Sequence, residues 1–115
     1  MFKTYIIVDE HLQMYRSHWN PSLMIAEGYM VEYALTYTRA KKFHTLWYAK
    51  HRVNTLLRHT DSYFYVYQKI VEVDGIYLFE LIDKSLSEKK KKCEQEYEEK
   101  ILKIIQERKK RKNLM

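Results

Sequence analysis

At 115 residues the chain has room for one domain with a modest core. Its 11 Tyr against 2 Gly and 1 Pro exclude collagen-like, linker-like and wholly disordered classes, and no apolar run approaches the ~20 residues of a membrane helix. The formal charge of +6 is uneven: residues 1–84 hold 10 Lys/Arg against 9 Asp/Glu, whereas residues 85–115 hold 11 against 6.

Phe2–Val8 reads as a strand closed by Asp9-Glu10, with Leu12–Arg16 as its hairpin partner. His18–Ser22, with the sole proline Pro21, reads as a loop, in which Asn20 is placed to cap a short turn with Pro21 at its first position. Gly28–Thr38 alternates with period two, placing Tyr29, Val31, Tyr33, Leu35 and Tyr37 on one face of a half-buried strand. Ala40–Leu57 then changes to a helical period. Phe43, Leu46, Trp47, Val53 and Leu57, with Ala49 and Leu56 beside them, form its apolar stripe, and Lys41, His44, Tyr48, His51, Arg52 and Thr55 fall largely on the other side.

Tyr63–Val73 and Ile76–Ile82 read as strands joined at Asp74-Gly75, where a type I′ turn is expected. Both faces of this hairpin are apolar or aromatic, which places it centrally in a sheet. Tyr63, Tyr65 and Tyr67 share one face. They are core if the last helix covers them and an aromatic patch if it does not; the core reading is preferred. Ser85–Lys112 is a helix, with Ser85 and Glu88 at capping-box spacing. Its narrow stripe of Cys93, Tyr97, Ile101, Ile104 and Ile105 covers about three turns, too few for a confident coiled coil. On that stripe Cys93 is expected to be a small buried thiol. The expected fold is therefore α+β: a small, mostly antiparallel sheet, one packed helix and a long basic C-terminal helix. The division is a globular body at 1–84 and a charged helix at 85–115.

Between Glu32 and Asp61 no residue is acidic. That segment holds Arg39, Lys41, Lys42, Lys50, Arg52 and Arg58, with His44, His51, His59 and the aromatic Tyr48. A one-signed segment repels itself, and a polyanionic partner offsets that cost. The first functional expectation is nucleic-acid binding, with these cations on phosphates and Tyr48 stacking on a base. Arg108, Lys109, Lys110, Arg111 and Lys112 would add affinity, although a helix C-terminus favours cations without any ligand. The second expectation is an inhibitor or adaptor whose basic face meets an acidic protein. The third is a self-assembling protein that pairs through Tyr97, Ile101, Ile104 and Ile105, as a homodimer of the C-terminal helix.

The chain carries no P-loop, G-x-S-x-G or dinucleotide fingerprint, and no histidine spacing for a metal. A non-enzymatic protein without cofactor or metal is expected. Cys93 has no internal partner and Met1–Thr4 has no signal-peptide pattern, so a reducing cytoplasm is the expected setting.

The order of strand, Arg39–Thr45, helix and strand resembles small proteins of tailed phages. These read as strand, A-K-x-F-x-[ST]-x-x-x-A helix, then a strand ending in V-E-V. Ala40, Lys41, Phe43, Thr45 and Ala49 match, as do Val71, Glu72 and Val73. The resemblance implies a β-β-α-β unit that binds a partner, in a host cytoplasm. The basic C-terminal helix is not part of it.

Overall fold

The computed structural model describes residues 3–19, 30–74 and 76–113. Among these residues five strands form one sheet in the order β3-β2-β1-β4-β5, with every pairing antiparallel. They are β1 (Tyr5–Asp9), β2 (Met14–Trp19), β3 (Met30–Ala34), β4 (Phe64–Val73) and β5 (Ile76–Asp83). Two α-helices, α1 (Leu46–His59) and α2 (Ser85–Asn113), complete an α+β fold. Among the described residues no helix is long and apolar enough to cross a membrane.

The centre of the sheet is β1, all of whose residues are buried. Tyr5 and Ile7 face α1 and pack with Tyr15, Phe64, Val66 and the helix residues Ala49, Val53, Leu56 and Leu57. Burying Val53 or Leu56 contributes about 1.5–3 kcal/mol each. Ile6 and Val8 face the other way, beside Ala34, Ala40, Tyr67 and Phe79. The β4–β5 hairpin is therefore not central, because β5 is an edge strand. Its two apolar faces arise partly because its outer end is uncovered: Val73, Ile76 and Leu78 are exposed. Asp74 has φ 50°, the left-handed backbone that the hairpin turn requires; Gly75 lies outside the described residues.

The first helix begins at Leu46, not at Ala40. Residues 41–43 enter the sheet instead. Tyr5 and Phe43 exchange both backbone hydrogen bonds, and Lys41 N–H donates to the Tyr15 carbonyl. They fill the gap where β2, which pairs with β1 at Val8 and Met14, diverges from it. Thr45 then caps α1 by accepting from Tyr48 N–H.

The strand expected over Gly28–Thr38 spans Met30–Ala34 among the described residues and stops at fully exposed Leu35. A 3₁₀ turn, Tyr37–Arg39, follows. His18 and Trp19 belong to β2 rather than to a loop; Asn20, Pro21 and Ser22 lie outside the described residues.

The start of α2 takes over where β5 ends. The Ser87 hydroxyl, fully buried, donates to the Phe64 carbonyl and accepts from Phe64 N–H. Lys90 Nζ donates to the Thr60 and Ser62 carbonyls. Lys91 Nζ donates to the Tyr65 hydroxyl, and Tyr63 OH donates to Glu94. The first turns of α2 thus meet Tyr63 and Tyr65, which are half-buried rather than core. Tyr67 lies further along, in the cluster with Ile6 and Val8. From Lys92 to Lys110 every residue of α2 is exposed. Cys93 is exposed as well, because the helix leaves the body there.

Candidate nucleic-acid interface

The turn into α1 and its first two turns enclose a cleft of about 370 Å³, lined by Lys41, Lys42, Phe43, His44, Thr45, Tyr48, His51 and Arg52. None of these is a carboxylate. The insertion of residues 41–43 into the sheet creates this cleft. It fixes Lys41 beside β2, sets Phe43 as an apolar floor, and brings the start of α1 over both.

The cations have different employment. Lys41 is exposed at the rim. Lys42 Nζ donates to the carbonyls of Tyr37, Thr38 and Ala40 at 2.9, 3.0 and 3.2 Å, and lies 4.6 Å from the centre of the Tyr37 ring. It holds the 3₁₀ turn closed, which is a structural task. Arg52 Nη1 donates to the Tyr15 hydroxyl and lies 3.3 Å from His18 Nδ1. Tyr15 OH is 2.7 Å from the same Nδ1. Both neighbours of Nδ1 are donors, so the ring accepts there in its neutral form. Burial, then the charge of Arg52, then His59 push the His18 pKa below its ordinary 6.5. Burial also raises the Tyr15 hydroxyl above 10.0, and Arg52 opposes it. Arg52 therefore presents its charge to the cleft from a fixed position.

Other predicted site residues are elsewhere. Lys50 pairs with Asp83 at 3.0 Å, away from the cleft. Burial raises the Asp83 pKa, but hydrogen bonds from Ser85 and the ion pair with Lys50 outweigh it, leaving a net depression. Arg39 is exposed on the 3₁₀ turn. Arg58 lines a groove against Leu86 and Cys93 at the far end of α1. Arg108, Lys109 and Lys110 are exposed on distal α2, and the side chains of Arg111 and Lys112 lie outside the described residues. Among the described residues no three His, Cys, Asp or Glu side chains gather as a metal site.

Trp47, expected in the apolar stripe, is 65% exposed. Its ring stacks on His51 at 5.3 Å and 4°, and meets Tyr48 edge-on at 4.9 Å. Both contacts line the cleft, so an exposed indole stands at its mouth. Its spacing carried the signal: the buried positions are 49, 53, 56 and 57, and residue 47 is two positions, about 200°, before the first of them.

Comparison with protein-family models, curated proteins and solved structures finds no match in any of the three.

Proposed function

We propose that the protein binds single-stranded nucleic acid, with backbone phosphates in the Lys41–Arg52 cleft and a base on Trp47. The observation that supports this reading is the cleft itself: Lys41 and Arg52, two histidines and no carboxylate, beside an exposed Trp–Tyr pair, with Lys42 committed to the 3₁₀ turn. Phosphate attraction gives affinity without sequence choice, and an aromatic platform accepts any base. The exposed aromatics favour a single strand, whose bases are open to stacking. The phage setting implied by the resemblance at Ala40–Ala49 belongs to the same proposal.

The test is fluorescence anisotropy with labelled single- and double-stranded DNA and RNA over a range of salt. Affinity for single strands should fall linearly in log–log form, with a slope near −0.7 per phosphate contacted. Trp47→Ala should weaken binding by about 1–3 kcal/mol, and Lys41→Glu should weaken it and flatten the salt slope. Lys42→Ala separates the roles. It should lower stability by about 1–3 kcal/mol, since three carbonyls lose a charged donor, and should leave the slope of the folded protein unchanged. No binding at low salt defeats the reading, and an acidic protein surface becomes the ligand to seek.

A further inference from the structure

We propose that the protein forms a two-fold dimer in which the distal half of α2 of each copy lies across the β4–β5 hairpin of the other. Two unpartnered apolar surfaces carry the argument. On α2, Ile101, Leu102, Ile104 and Ile105 are 39–58% exposed. On the hairpin, Val73, Ile76 and Leu78 are 52–64% exposed, with Val73 paired to Ile76 in register. Exposed apolar side chains grouped in this way mark interaction surfaces.

Their charges are complementary. Residues 70–82 carry Glu72, Asp74 and Glu80 and no Lys or Arg. Residues 100–112 carry Lys100, Lys103, Arg108, Lys109, Lys110, Arg111 and Lys112 against Glu107 alone. Opposite potentials over matching apolar strips fix orientation as well as contact.

The two surfaces cannot meet within one chain. Ser87 and Lys90 fasten α2 beside Phe64, Thr60 and Ser62, at the end of β4 remote from the Asp74 turn. The helix then continues away from that turn. The molecule's long axis of 72 Å fits an extended hairpin and a helix of about 43 Å pointing in opposite directions. A second copy related by a two-fold axis brings each helix to the other's hairpin. A helix strip about 22 Å long and 10 Å wide, used twice and counted on both partners, buries on the order of 900 Å², the size of weak and transient interfaces.

The test is sedimentation velocity of the full chain over a wide micromolar range. The expected result is a reversible dimer of twice 14.2 kDa. Ile104→Asp with Ile105→Asp should weaken it at least tenfold, and Leu78→Lys should do the same, both with unchanged circular dichroism. Mixing these two variants should restore partial association, because one of the two reciprocal contacts is then intact. A monomer at every concentration overturns the proposal. So does a dimer indifferent to Leu78→Lys, which would mean helix-to-helix pairing, or a monomer that instead floats with anionic vesicles.

Discussion

His18 shows how one side chain ties stability to pH. Its ring accepts at Nδ1 between Tyr15 and Arg52, and its pKa in the fold lies below 6.5. The unfolded chain binds this proton more readily, so the His18 contribution is complete above pH 6.5. It is lost as pH falls from there through the folded-state pKa. Urea titrations between pH 5 and 8 should show an acid-side decline, and His18→Gln, which can accept but does not titrate there, should have a shallower one. At this scale the sequence was informative about charge and silent about commitment. Lys41 and Lys42 are adjacent and chemically identical, yet one is exposed at the cleft rim and the other closes a turn through three carbonyls. Nothing local distinguishes them, because the turn's geometry depends on residues 41–43 joining β1.

At the scale of elements, α2 is held to the sheet by a hydroxyl. Phe64 has no β5 partner, since β5 ends at Asp83 opposite Val66. Ser87 supplies both missing hydrogen bonds from a fully buried position. Ser87→Ala leaves a buried N–H and C=O without that partner, and should cost about 1–3 kcal/mol in urea denaturation. Among the described strands, the β4–β5 hairpin was the most legible, because runs rich in Tyr, Phe, Val and Ile and the turn chemistry of Asp74-Gly75 are local signals. The start of α1 was misread for the opposite reason. Ala40-Lys41-Lys42-Phe43 has helix-compatible composition and no breaker, and the hydrogen bonds that make it extended come from Tyr5 and Tyr15. Likewise β1 and β5 both read as apolar runs, and only the strand order shows which is covered.

The whole molecule is elongated. Its radius of gyration is 19.3 Å, against about 13 Å for a compact chain of this length. The excess lies in α2 beyond Lys92, which the body does not support. Truncation after Glu98 should therefore leave the body's unfolding free energy within about 0.5 kcal/mol at concentrations too low for association, as read from urea curves. Composition shows that a segment with one aromatic and 17 charges cannot supply a second core, but it does not distinguish a docked helix from a projecting one.

The position of β1 has a kinetic consequence. It precedes the other described strands in the chain and is the most buried; it meets β2 only at Val8 and Met14, and its remaining partners are Phe43 and Phe64–Gln68, the latter about 60 residues later in the chain. During synthesis this apolar strand must wait for β4 before its ladder closes. Closing distant contacts first loses chain entropy and only then gains pairing, so folding should fall in the slower range of mixed α/β domains. Until then Tyr5–Val8 is an open edge that a chaperone, or another nascent chain, can occupy.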